Sequence, residues 1–147
     1  VERILNLKHR SWKKGLILVA GHLSQVAPYL SGLGEPELSQ LEQAWPGPVT
    51  FLVPDNGACP PWVRGTHPTV AIRVSDHPVV AMLCETAGSA LVSTSANVAA
   101  LPPARDVLSA RCMFGEGVDL YIPGPLGGLS GATEIRDLKG GVKRRAI

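Results

Sequence analysis

Apolar positions fall in short runs between polar turns, and the spacing inside each run predicts its element. Gly15-Leu16-Ile17-Leu18-Val19-Ala20 is a continuous apolar run behind a basic stretch, which predicts a buried strand. Residues 22–31 and 36–45 predict helices. In the second, Leu38, Leu41 and Trp45 recur at three and four residues and make one apolar face. Pro46-Gly47-Pro48 stops that helix, and Thr50-Phe51-Leu52-Val53 reads as the next strand. The Pro- and Gly-rich stretch from Pro54 to Pro68 predicts a surface loop or a loose hairpin. Val70, Ile72 and Val74 alternate with Ala71 and Arg73, so a half-buried strand carries Arg73 on its other face. Asp76 is placed to cap a helix around Pro78–Ala87, with proline tolerated in the first turn and Gly88 ending it. Ala90–Ser95 predicts a strand and Asp106–Phe114 a helix. Short strands are expected near Leu120–Ile122, Glu134–Arg136 and Gly141–Arg144.

Strands and helices alternate early and strands dominate late. The expected fold class is therefore α/β (α+β), a mixed sheet flanked by helices. At the start, Val1, Ile4, Leu5 and Lys8 follow helical spacing with no capping residue ahead of them. The chain is expected to begin inside a helix and to lack an N-terminal segment. Its 147 residues suit one domain, 1–147, with a real core, and 45% hydrophobic with 18% charged residues excludes a disordered or fibrous chain. No apolar run reaches the roughly 20 residues of a membrane helix.

Charge sharpens the picture through its placement, because the net value is only +2. Lys8, His9, Arg10, Lys13 and Lys14 cluster near the start, and Lys139, Lys143, Arg144 and Arg145 near the end. These are either two solvated faces or one anion-binding surface. Lys8-x-Arg10-x-x-x-Lys14 places three cations just before a buried strand, where phosphate would relieve their repulsion. Arg73 on a covered strand face needs an anion, either Asp76 or Glu85 or a ligand's carboxylate. Ser93-Thr94-Ser95-Ala96-Asn97 sets hydroxyls and an amide at the end of an apolar strand, where they are poor core material. Taken with the basic loop and Arg73, they read as part of a ligand site. His77 is read as structural; His9, His22 and His67 carry no assigned chemistry. Cys59, Cys84 and Cys112 lack zinc spacing, and Cys84 and Cys112 are expected to be core thiols, as in a reducing cytoplasm. Gly124-Pro125-Leu126-Gly127-Gly128 is expected to be a turn.

Together these segments resemble the YrdC/TsaC family of threonylcarbamoyl-AMP synthases. The carriers are Lys8-His9-Arg10, Pro46-Gly47-Pro48-Val49-Thr50, Ile72-Arg73 with His77-Pro78, Ser93–Asn97, and Thr133-Glu134-Ile135-Arg136-Asp137 with the terminal Arg145. The resemblance implies a twisted mixed sheet around a concave, positive cavity. It implies a nucleotidyltransferase that makes threonylcarbamoyl-AMP and pyrophosphate from L-threonine, bicarbonate and ATP. The product would feed t6A modification of adenosine 37 in tRNA, in the cytoplasm. By the same resemblance, Lys8, Arg10, Lys14, Thr69, Ser95, Asn97 and Arg145 would bind ATP. Arg73, Ser93 and Thr133 would bind threonine. Magnesium would come with ATP, and t6A-transferase proteins would take the product. No catalytic nucleophile or protein-held metal is assigned.

The chain departs from the family pattern twice. A Y-P-T-E-T-like strand and turn, part of the family's threonine pocket, is missing ahead of the first helix. After Asn97 the family has a small residue and then Ser-Gly, where this chain has Val98-Ala99-Ala100. A hydroxyl and a glycine's access to positive φ are both lost there. Nucleotide binding is expected to be weaker, or the loop differently arranged. The alternative function is a non-catalytic module of this fold that binds double-stranded RNA or tRNA. A carbamoyl-transfer domain of a larger maturation protein fits less well, because zinc-finger cysteines are absent.

Overall fold

The computed structural model describes residues 1–127 and 133–140, together with the backbone of 143–145. In chain order the elements are α1 (Glu2–Leu7), a 3-10 turn (Trp12–Lys14), β1 (Ile17–Ala20), a 3-10 turn (Leu23–Gln25), α2 (Ala27–Leu30), α3 (Glu35–Ala44), β2 (Val49–Pro54), α4 (Pro61–Arg64), β3 (Thr69–Val74), α5 (Pro78–Ala87), β4 (Leu91–Ser93), α6 (Val107–Phe114), a 3-10 turn (Gly115–Gly117), β5 (Glu134–Asp137) and β6 (Lys143–Arg145). The strands form one mixed sheet in the order β4-β1-β3-β2-β5-β6. The pairs β1/β3 and β2/β5 are parallel and the other three are antiparallel.

The alternation seen in the sequence divides this sheet into two faces. Leu18, Ala20, Phe51, Val53, Val70, Ile72 and Val74 lie on one face, buried in a cluster with Val26, Leu30, Leu41, Trp45 and Val63 from the helices and their flanks. Trp45 anchors that layer: its indole N–H donates to the Val49 carbonyl at 2.7 Å, and its ring meets Phe51 edge-on with centroids 5.5 Å apart. The Trp45–Pro46 peptide is cis. The register places Ile17, Val19, Ala71, Leu52, Leu91 and Ser93 on the reverse face with Arg73. Helix α5 reaches the β1 side through Cys84, whose thiol donates to the Val19 carbonyl at 3.4 Å. Gly21 permits this approach, since a Cβ there would stand 2.7 Å from the Ala81 Cα.

Several expectations are corrected by the structure. Residues 22–31 do not form one helix. The chain breaks at Val26, and Pro28, which lacks an N–H, falls in the first turn of α2, where that lack costs no bond. Of the two alternatives for Pro54–Pro68, the loose hairpin is the one formed: the segment links the antiparallel β2/β3 pair, with the short helix α4 inside it as the unforeseen part. Asp76 does not cap α5. His77 holds the N-cap position without a side-chain cap, and its backbone N–H donates to the Ser75 hydroxyl at 3.2 Å. Gly88 does end α5, in the left-handed conformation at φ 66°. No strand forms at Leu120–Ile122, where Leu120 is 71% exposed. Residues 124–127 are irregular backbone, and Gly128 lies outside the described residues. Cys84 is a core thiol, but Cys112 is exposed and Cys59 is the second buried one. Helix α6 buries none of its residues fully, so its apolar pattern gives Cys112 no core to enter.

Candidate active site

Lys8 follows the last turn of α1 and is only 4% exposed. Its ammonium donates to the Ser95 carbonyl, to the Asn97 carbonyl at 2.5 Å and to the Asn97 Oδ1 at 3.2 Å. An ammonium has three donors, so these contacts use all of them. The Lys8 carbonyl in turn accepts the Ala99 N–H at 2.9 Å. The Ser95 hydroxyl donates to Asn97 Oδ1 at 2.5 Å, and Asn97 Nδ2 donates to the Leu101 carbonyl at 2.7 Å. The polar segment after β4 is therefore a compact turn pinned to the end of α1. Burial lowers the Lys8 pKa, and the neighbouring Arg10 charge lowers it further. Ala100 sits at φ +68°, in the position where the family pattern has glycine. The turn keeps the glycine-like backbone with an alanine in it, a conformation that costs an L-residue about 1–2 kcal/mol.

Arg73 anchors a second group. It projects from β3 on the reverse face, half-buried, and its Nη1 donates to the Thr133 hydroxyl at 3.2 Å. Burial pulls its pKa down, and the Asp76 charge pushes it partly back. Among the described residues, neither Asp76 nor Glu85 forms an ion pair with it. Its Nε is buried without a partner among the described residues. A desolvated guanidinium that lacks a carboxylate is suited to clamp an incoming one.

The remaining expected residues lie around these groups. Ser93 ends β4 beside Ile17 and lines, with Val19, Val80, Leu83, Leu91 and Thr94, an open groove of about 290 Å³ between α5 and the sheet edge. Thr69 stands half-buried at the start of β3. Arg10 turns back on its own loop, Nη2 to the Gly15 carbonyl at 3.0 Å, with Nε buried and unpartnered among the described residues. Lys14 is exposed on the adjoining 3-10 turn. The structure thus joins Lys8 to Ser95 and Asn97, and Arg73 to Thr133. No hydrogen bond among the described residues links Thr69 or Lys14 to either group. The Arg145 backbone pairs with Glu134, while its side chain lies outside the described residues. His77 Nε2 faces the Pro125 carbonyl at 3.4 Å.

One further polar residue belongs to this region. Thr50 is fully buried on β2, and its hydroxyl has no partner among the described residues. The signal was present in the sequence as a lone hydroxyl inside Val49-Thr50-Phe51-Leu52-Val53.

The described residues thus form a mixed sheet with one packed apolar face and a reverse face that carries Arg73, with a polar turn after β4 pinned by Lys8. The chain belongs to the Sua5/YciO/YrdC family, whose model, described as "Telomere recombination", matches residues 1–145. It is 50% identical over 145 residues to the threonylcarbamoyl-AMP synthase of Nitrosococcus oceani, covering 99% of this chain and 78% of that one. It is 49% identical over 139 residues to the synthase of Chromohalobacter salexigens, covering 95% and 75%. The fold matches P. abyssi Sua5 complexed with L-threonine at a TM-score of 0.87 and 22% identity, over 97% of this chain and 42% of that one. It also matches E. coli YciO at a TM-score of 0.81 and 23% identity, over 98% and 70%. This chain thus spans less than half of the Sua5 chain. No helix among the described residues is long and apolar enough to cross a membrane.

Proposed function

We propose that the protein is a threonylcarbamoyl-AMP synthase, an ATP-consuming transferase acting in tRNA processing. Its relatives at about half identity carry that name. The structural observation that supports the reading is Arg73, half-buried, with no carboxylate partner among the described residues, and steadied by Thr133 on the reverse sheet face.

In the proposed reaction the threonine amine condenses with bicarbonate, losing water, to give a carbamate. A carbamate oxygen attacks the α-phosphorus of ATP and pyrophosphate leaves. Positioning and charge neutralisation can carry such a step, so it needs no nucleophilic side chain. Arg73 clamps the threonine carboxylate, with Ser93 and Thr133 lining its pocket. Arg10 and Lys14 neutralise the triphosphate, and Thr69, Ser95, Asn97 and Arg145 contact the nucleotide. Lys8 contributes by shaping the Ser95–Asn97 turn, because its donors are already engaged. No cluster of three or more acidic, His or Cys side chains that could cage a metal occurs among the described residues. Magnesium would therefore travel on the ATP phosphates as part of the substrate. The single domain, a cytoplasmic location, and transfer of the product to tRNA by t6A-transferase proteins complete the reading.

The test is to incubate the full-length protein with ATP, L-threonine and bicarbonate. Threonine-dependent pyrophosphate release is expected. Release that ignores threonine, or none at all, overturns the proposal.

A further inference from the structure

Pro46-Gly47-Pro48-Val49-Thr50 is a recognisable motif to which the proposed reaction gives no role. Its threonine sits in a defined place. On β2 and β3, Phe51 pairs with Ile72 and Leu52 with Ala71, and continuing that antiparallel register sets Thr50 opposite Arg73. Directly opposed residues share a face, with Cβ atoms about 4.5–5.5 Å apart. On its other flank Arg73 is in register with Val19, which has no polar side-chain atom. Thr50 is thus the strand neighbour of Arg73 that offers a side-chain acceptor.

Among the described residues, both hold a buried polar atom without a partner: Oγ1 of Thr50 and Nε of Arg73. One can accept and the other must donate. Buried polar atoms are rarely left unpaired, and an orphan in a native fold calls for an explanation. The Nε lies nearest the backbone, and so nearest the sheet floor, while the terminal nitrogens reach outward, one of them to Thr133.

We propose that Thr50 is a positioning residue for Arg73: its hydroxyl accepts the Arg73 Nε–H when a substrate carboxylate engages the terminal guanidinium nitrogens. The fully buried hydroxyl is held in reserve for the ligand-bound state. It fixes the plane of the guanidinium, which bidentate carboxylate recognition requires. This rests on the proposed role of Arg73 as the threonine clamp.

The test compares Thr50→Val, which removes the hydroxyl and keeps the branched shape, with Thr50→Ser, which keeps the hydroxyl. For Thr50→Val, the KM for L-threonine should rise about tenfold, the worth of one hydrogen bond to a charged group. The KM for ATP should not change. The ligand-free melting temperature should hold or rise, because an unpaired buried hydroxyl has gone. Thr50→Ser should restore the threonine KM to near wild type. If Thr50→Val does not fold, Thr50→Ala against Thr50→Ser makes the same comparison. An unchanged threonine KM in the hydroxyl-free variant overturns the inference alone. Absence of threonine-dependent turnover and of calorimetric threonine binding in the wild type overturns the proposed function, and this inference with it.

Discussion

On the helix-covered face of the sheet, Phe51, Val53, Val70, Ile72 and Val74 are each at most 2% exposed, and all are apolar. On the reverse face the same two central strands carry Thr50 and Arg73, and both leave a buried polar atom without a partner among the described residues. Residues one step apart along a strand therefore live under opposite rules. The first face maximises burial and close packing. The second tolerates a desolvated cation and an idle hydroxyl, which is expensive unless something arrives to use them. On the proposed function, stability and ligand recognition separate by the parity of residue positions along β2 and β3.

The sharpest test of that separation is a matched pair of substitutions. Phe51→Ala should destabilise the protein by about 3–5 kcal/mol in urea unfolding, as for a large aromatic removed from a packed core. A loss well under that would break the claim that this face carries the stability. Arg73→Ala should lower threonine-dependent pyrophosphate release by about a hundredfold, from lost charge-assisted hydrogen bonds. It should leave the melting temperature unchanged or higher, since burial already disfavours the guanidinium. A lowered melting temperature with activity retained would mean that Arg73 belongs to the structural half.

Lys8 tests the border between the two regions. Lys8→Met strips the Ser95 and Asn97 carbonyls of their shared donor, and amide exchange over 95–101 should quicken while ATP affinity falls about tenfold. Lys8→Arg should not restore it, because a planar fork cannot converge on three oxygens as an ammonium does. Fast exchange with unaltered ATP affinity would detach this turn from the site. A smaller gain is expected from Ala100→Gly, about 1 kcal/mol, as the left-handed backbone at φ +68° is relieved. No gain in thermal unfolding would show that the turn already accommodates alanine.

The smallest effect is in α6, away from both faces. The Asp106 carboxylate accepts the Ser109 N–H at 2.7 Å, and that bond, with the Ser109 hydroxyl, holds its pKa below the ordinary value. Its contribution is therefore complete above the ordinary aspartate pKa of about 3.9 and fades as pH falls through the lower folded value. The melting-temperature gap between wild type and Asp106→Ala should be present at neutral pH and close in strong acid. A gap that persists unchanged in acid would assign the loss to helix propensity alone.

Legibility from the sequence followed the same division. Alternation at Val70, Ile72 and Val74 was enough to place Arg73 on the far face, and a continuous apolar run was enough for β1, because each pattern reports a covered surface. Lys8 was harder to read. Four cations in the seven residues 8–14 look solvated or phosphate-bound, and only the tertiary approach of the turn after β4 shows one of them buried under carbonyls. Leu120–Ile122 had strand composition but no partner strand among the described residues, and propensity without pairing does not make a sheet. Cys112 failed for a related reason: a helical apolar pattern reports a core only when another layer covers it. Thr50 was visible but silent, since a hydroxyl in an apolar run acquires meaning only from the residue opposite.

The β2/β5 pairing has a consequence for how the molecule comes into being. Thr50 is in register with Ile135, 85 positions further along the sequence, and Thr133 reaches Arg73 only when that late segment docks. Contacts of such long range form slowly, because the chain must close a large loop before the contact can stabilise it. As the chain emerges during synthesis, β1 and β3 can pair while the arginine still lacks its steadying hydroxyl. The proposed threonine clamp is then among the last features of the fold to mature, and a nascent or prematurely terminated chain would hold most of its core without it.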